Sequence, residues 1–275
     1  MPNQQRPGRI TVPTIRAQKG GAKIVCLTAY TAPVAALLDP HVDVLLVGDS
    51  VGMVVHGLPT PTAVTLEMMI LHGQAVLRGS SRALVVVDLP FGSFEASPEQ
   101  AFMSSVRVMQ ETGCQAVKIE AGEALAPTIA FLVQRGVPVM GHVGLRPQAV
   151  HVDGGFKAKG RTADERTRVL AEARAADEAG CFAIVVEGVA ADLAGEITRT
   201  VAAPTIGIGA SSACDGQILV CDDMFGLFER TPKFVRRYAD IRSAISGAAA
   251  QYAADVRAAT FPGETEVYRF KPEAS

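Results

Sequence analysis

The chain lacks the features that most often announce a function. Its five cysteines, Cys26, Cys114, Cys181, Cys214 and Cys221, include no CxxC pair. An odd, scattered set suits reduced packing thiols and excludes a disulfide frame or a cysteine zinc site. No apolar run approaches the roughly 20 residues of a membrane helix, and the polar stretch from Met1 to Arg9 has no signal core. There is no dense basic stripe: the formal net charge is -2, and Lys233, Arg236 and Arg237 read as a solvated helix face. Nucleic acid and membrane are therefore not expected partners. The turn after the first apolar run is Thr28-Ala29-Tyr30-Thr31, so the Rossmann fingerprint is missing, as is a Walker loop. What remains is a globular composition, 48% hydrophobic and 20% charged over 275 residues. It suits a soluble, cytoplasmic protein with a large core.

Short apolar runs alternate with amphipathic stretches. The strand candidates are Ile24–Thr28, Val42–Val47, Leu84–Asp88, Ala116–Glu120, Val137–Met140, Ala183–Glu187, Pro204–Ile208 and Ile218–Val220. Helical patterns lie between most of them, over Thr65–Arg78, Pro98–Glu111, Ala124–Arg135, Asp164–Ala179 and Val189–Val201. Ser97-Pro98-Glu99 and Thr162 before Asp164 and Glu165 are start signals, while Gly79, Gly113, Gly136 and Gly180 stand where C-terminal caps are needed. Eight strands alternating with helices predict an α/β fold, a (β/α)8 TIM barrel, with an open doubly wound sheet as the competing architecture. We expect a single domain over residues 1–275, its barrel core at about 23–230 after an N-terminal extension, with a helical C-terminal region at about 232–259. Two connections, Gly48 to Thr65 and Gly141 to Thr162, are long enough to form structured loops at a site.

Five strand candidates end in a polar or ionisable residue: Asp49 with Ser50, Asp88, Glu120 after Lys118, His142 and Glu187. A strand buried on both faces should stay apolar, so a charge at its C-terminal tip needs a cause. In parallel α/β folds the cause is usually a ligand site. Alternation places Lys118 and Glu120 with Ala116, Asp88 with Val86 and Leu84, and Glu187 with Val185 and Ala183, on the barrel interior. Asp49 falls in phase with Val47 and Leu45. Clustered buried anions need protons, cations or a metal, and carboxylate oxygens favour Mg2+ over zinc or copper. Structural roles compete for each: a turn cap for Asp49, a helix cap for Asp88 before Pro90, an ion pair for Lys118 and Glu120. His41, His56, His72 and His151 suggest no role.

Several ordered motifs resemble the ketopantoate (3-methyl-2-oxobutanoate) hydroxymethyltransferase family. They are Val47-Gly48-Asp49-Ser50-Val51-Gly52-Met53, Asp88-Leu89-Pro90-Phe91, Val117-Lys118-Ile119-Glu120, Gly141-His142-Val143-Gly144-Leu145 and Gly207-Ile208-Gly209-Ala210. Gly154-Gly155-Phe156-Lys157, Asp215-Gly216-Gln217-Ile218-Leu219-Val220 and Phe261-Pro262-Gly263-Glu264 agree too. The resemblance implies a (β/α)8 barrel, one Mg2+ per subunit, and 5,10-methylenetetrahydrofolate as co-substrate. The implied reaction passes a hydroxymethyl group to 3-methyl-2-oxobutanoate, giving 2-dehydropantoate through a Mg-stabilised enolate, in pantothenate and coenzyme A biosynthesis. It implies Asp49, Asp88 and Glu120 at the metal, and Asp49, Ser50, Asp88, Lys118 and His142 around the substrate. Glu187 matches the proton acceptor, and the family implies a homo-oligomer, commonly a decamer.

Two positions depart from the family pattern. Ser211-Ser212-Ala213 stands where many relatives have Gly-Asn, and Phe94 replaces a common tyrosine. The rival reading is a Mg-dependent oxo-acid lyase or mutase of the phosphoenolpyruvate mutase and isocitrate lyase type. Those lyases carry a Lys-Cys-Gly-His loop, and the chain has none.

Overall fold

A computed structural model of the chain describes residues 8–269. Its eight parallel strands are β1 (Ile24–Thr28), β2 (Val44–Val47), β3 (Leu84–Asp88), β4 (Ala116–Glu120), β5 (Val139–Gly144), β6 (Ala183–Glu187), β7 (Thr205–Ile208) and β8 (Gly216–Leu219). Each pairs with the next and β8 pairs with β1, so the sheet closes into the expected barrel. Closure removes the sheet edges an open architecture would leave. The chain divides into two compact units, one ending at Cys221 and one beginning at Asp222.

The barrel interior is filled by alternate residues of the strands. Ile24 and Cys26, Val44 and Leu46, Leu84 and Val86, Ala116, Met140, Ala183 and Val185, Ile206 and Ile208, and Ile218 form one buried cluster. Ile15, from the short helix Val12–Arg16, joins it. The intervening residues, Leu45, Val85, Val117, Ile119 and Ile184 among them, are also buried, as expected of strands covered by helices. Each such aliphatic side chain gains about 1.5–3 kcal/mol from leaving water. The interior row continues, at the C-terminal tips, into Asp88, Lys118, Glu120, His142 and Glu187.

Helices begin where their caps dictate. The side chains of Thr65, Ser97 and Thr162 accept from the backbone N–H of Met68, Gln100 and Glu165, opening Leu66–Gly79, Pro98–Thr112 and Ala163–Glu178. Gly113 ends the second of these in the left-handed region, at φ 79°. Gly79 acts differently from expectation. It is the last helical residue, followed by extended Ser80, and a methyl group on it would run into the backbone carbonyl of Ala32. Close approach of the helix Ala32–Leu38 is its reason for being glycine. β5 also runs past the expected Met140, so Gly141 to Gly144 is strand and His142 lies inside it.

Two aspartates lock the N-terminal ends of the strands. Asp39 accepts from Ser80 Oγ at 2.6 Å and from the N–H groups of Ser81, Arg82 and Ala83, each at 2.9 Å, just before β3. Asp215, before β8, accepts from the N–H of Gly20 and Thr205 and from Lys19 Nζ at 3.0 Å. The motif around Asp215 is thus a brace between β1, β7 and β8. In the second unit the expected C-terminal helix spans Ile241–Arg257, starting later than the sequence pattern because Asp240 caps it by accepting from Ser243 N–H.

Candidate active site

The tips of β2 to β6 converge on one mouth. Asp88 at the end of β3 stands in register with Lys118 on β4, and Lys118 Nζ donates to Asp88 Oδ1 at 2.6 Å. Their side chains are 3% and 8% exposed, so this is a buried ion pair. Asp88 Oδ2 accepts from the backbone N–H of Asp49 at 3.0 Å. Asp49 therefore reaches the mouth, though not by strand alternation. The interior residues of β2 are Val44 and Leu46, and Asp49 is out of phase with them. The strand ends at Val47 and the turn through Gly48 swings Asp49 inward. Gly48 must be small there: a Cβ would lie 2.8 Å from Ser50 Oγ and 3.5 Å from Asp88 Oδ2. The Ser50 hydroxyl is paired with Tyr30 Oη at 2.8 Å.

Glu120 stands in register with His142 on β5, and Gly144 with Glu187 on β6. Gly144 has φ 92°, and any side chain on it would strike the Glu187 carbonyl. Only glycine lets β5 and β6 approach so closely at their tips. His142 Nε2 lies 3.1 Å from Glu187 Oε2, an ion-pair distance outside the angle of a well-formed hydrogen bond, and both ring nitrogens are buried without such a bond. Glu187 is 17% exposed and thus the most accessible acid of the set.

A residue without any sequence signal completes the arrangement. Gln148, buried in the loop after β5, donates from Nε2 to Asp49 Oδ2 at 2.8 Å and to the Leu89 carbonyl at 3.0 Å. Its backbone N–H donates to Glu120 Oε1 at 2.9 Å. Its own Oε1 is buried and unpartnered. It is the middle residue of the short turn Pro147–Ala149 within the long loop, and no local pattern sets it apart.

Charge at the mouth is unbalanced, with the carboxyl groups of Asp49, Asp88, Glu120 and Glu187 around one ammonium, Lys118. Burial, reinforced by Asp88, pushes the Asp49 carboxyl up to about 6. Burial, reinforced by Asp49, pushes Glu120 up to about 8. Burial opposes the Lys118 ammonium, yet Asp88 and Asp49 outweigh it and hold its pKa above the usual value. His142 is pushed down, chiefly by burial and then by Lys118, against the pull of Glu187, so the neutral ring is favoured. The missing positive charge and the hard oxygen donors fit a small divalent cation. Among the described residues no three acidic, histidine or cysteine side chains form a ready metal cage. Asp88 is engaged by Lys118 and by the Asp49 N–H, and Asp49 and Glu120 each bond to Gln148.

Elsewhere, the described residues hold no helix long and apolar enough to cross a membrane. All five cysteines are buried and outside any disulfide, and burial pushes the Cys181 thiol up to about 12. Phe94 is fully buried.

A model of the ketopantoate hydroxymethyltransferase family matches residues 9–264. The chain is 65% identical over 275 residues to the 3-methyl-2-oxobutanoate hydroxymethyltransferase of Hyphomonas neptunium, covering 100% of both chains. It is 67% identical over 263 residues to that of Caulobacter vibrioides, covering 96% of each. Among solved structures, phosphonopyruvate hydrolase shares the fold with a TM-score of 0.60 and 13% identity, over 94% of this chain and 92% of that one. A 2,3-dimethylmalate lyase of the PEP mutase/isocitrate lyase superfamily gives 0.60 at 15% identity, over 93% of this chain and 87% of that one. These two likenesses concern the fold alone.

Proposed function

The chain belongs to the ketopantoate hydroxymethyltransferase family, and from that premise we propose that its strand-tip cluster transfers a hydroxymethyl group to 3-methyl-2-oxobutanoate, giving 2-dehydropantoate for pantothenate synthesis. The donor in this reading is 5,10-methylenetetrahydrofolate. The observation that carries it is the gathering of Asp49, Asp88, Lys118 and Glu120 in one buried, electron-rich mouth. Asp49 and Asp88 would hold Mg2+, with Glu120 beside them, because hard carboxylate oxygens in excess of cations suit that ion. When bound, Mg2+ supplies Lewis-acid polarisation of the substrate's carboxylate and 2-oxo oxygens, an effect of several kcal/mol in such reactions.

The chain's own groups supply the rest. Lys118, charged and anchored on Asp88, presents positive charge to substrate oxygens, and Ser50, held by Tyr30, offers a hydroxyl beside it. Glu187 removes the proton from C3. It is the acid most open to a ligand, and its carboxylate lies against the buried His142 ring, whose neutral form is favoured. His142 orients the Glu187 carboxylate and shields it from water. A carboxylate abstracts a carbon-bound proton slowly in water, so the dry wall of interior aliphatic residues is part of the device. In this reading the protein works in the cytoplasm as a homo-oligomer, a decamer by family precedent, which light scattering would measure.

Solvent deuterium exchange at C3 of 3-methyl-2-oxobutanoate, followed by NMR without folate, tests the assignment. Exchange should require Mg2+ and fall at least about 100-fold in Glu187→Gln and Asp88→Ala. Exchange unaltered in both variants would remove the assigned roles. Turnover with the folate donor then measures the transfer itself.

A further inference from the structure

Gln148 is a neutral residue that ties two of the acidic tips together, Asp49 through its side chain and Glu120 through its backbone. Its two amide protons are both spent, on Asp49 Oδ2 and on the Leu89 carbonyl. That pairing fixes the orientation of the amide, since the flipped group would set oxygen against oxygen at both contacts. Its backbone N–H reaches Glu120 Oε1. One residue of the loop after β5 thus holds groups from the ends of β2, β3 and β4. The residue is 7% exposed, so these bonds form away from bulk water, where a well-satisfied hydrogen bond orients strongly. The one atom left over, Oε1, is a buried acceptor with no partner. A buried carbonyl oxygen costs free energy unless something donates to it, and beside two carboxylates the natural occupant is a cation's water.

We propose that Gln148 is a positioning residue for the divalent cation: its side chain aims Asp49, its backbone aims Glu120, and its free Oε1 receives a water bound to the ion. This rests on the metal-dependent reading of the same site. Gln148 needs no contact with substrate and takes no part in proton transfer. Groups that orient ligands in this way typically change metal affinity by about 10–100-fold when removed.

The test is calorimetric titration of Mg2+ into metal-stripped, substrate-free protein. Gln148→Met keeps the length of the side chain, removes both donors, and leaves the backbone bond to Glu120 in place. Its dissociation constant for Mg2+ should rise about 10–100-fold over wild type. Gln148→Ala, which leaves room for water to bridge Asp49 and Leu89, should weaken binding in the same direction and serves if the methionine variant does not fold. A dissociation constant within twofold of wild type in a folded variant overturns the inference. Loss of fold in both variants would also overturn it, by making Gln148 a structural residue. Wild-type protein that binds no Mg2+ would instead sink the metal reading itself, so the two failures are distinguishable.

Discussion

Lys118→Met measures how far the mouth is removed from water. The substitution keeps the length of the side chain and deletes its charge. Lys118 Nζ and Asp88 Oδ1 are 2.6 Å apart, and at an effective dielectric of about 20 two unit charges at that separation attract by about 6 kcal/mol before desolvation is counted. Because both groups are buried, deleting the cation leaves Asp88 beside Asp49 with, among the described residues, only the Asp49 N–H donating to it. Breaking a buried pair from one side costs about 3–5 kcal/mol, whereas an exposed pair is worth about 1 kcal/mol or less. Urea unfolding followed by circular dichroism, in EDTA so that no metal replaces the ammonium, gives the difference. Adding Asp88→Asn removes the stranded charge while the asparagine oxygen still accepts from the Asp49 N–H. The double variant should therefore regain at least half of the loss. A single-variant loss of about 1 kcal/mol or less, or no recovery in the double variant, would refute the buried-pair argument.

Two further outcomes concern the scaffold. Gly79→Ala should destabilise the protein by about 1–3 kcal/mol, although alanine is the better helix former, because the added methyl meets the Ala32 carbonyl; thermal melting reads this. Asp39→Asn should cost about 2–4 kcal/mol at neutral pH, since five donors, the Ser80 and Ser81 hydroxyls and three backbone N–H groups, lose their anionic acceptor. Burial opposes the Asp39 charge, yet the Ser80 hydroxyl and three backbone N–H groups hold its pKa below the ordinary value of 3.8. Its stabilising contribution is therefore complete above about pH 4–5 and is lost as pH falls through the lower folded-state pKa. Acid titration of stability should be shallower in the variant, and an unchanged acid limb would count against the assignment.

Much of the scaffold was legible because two periods carry it. Alternation within strands sorted Asp88, Lys118, Glu120 and Glu187 to the interior, and the same alternation runs through the core cluster below them. The rule failed for Asp49, since parity holds only while the chain stays extended and Gly48 opens a turn. The sequence pattern makes β5 too short because Gly141 and Gly144 resemble loop residues, whereas a Cβ on the first would lie 3.0 Å from the Cys181 sulfur and one on the second would strike the Glu187 backbone. The helix Ala32–Leu38 was missed: seven mostly apolar residues carry no polar face to set a period. Gln148 was beyond reach for a different reason. Its partners stand 99, 59 and 28 residues away along the chain, and nothing local distinguishes it from any polar loop residue.

The anchoring aspartates, Asp39 and Asp215, sit at the far end of the barrel from the acidic tips proposed to carry the reaction. Resistance to unfolding and chemical work are thereby assigned to opposite rims of one cylinder. Lineages can rebuild the loops that choose a substrate without loosening the staves, and thermal hardening can be engineered at the base while turnover stays as it was.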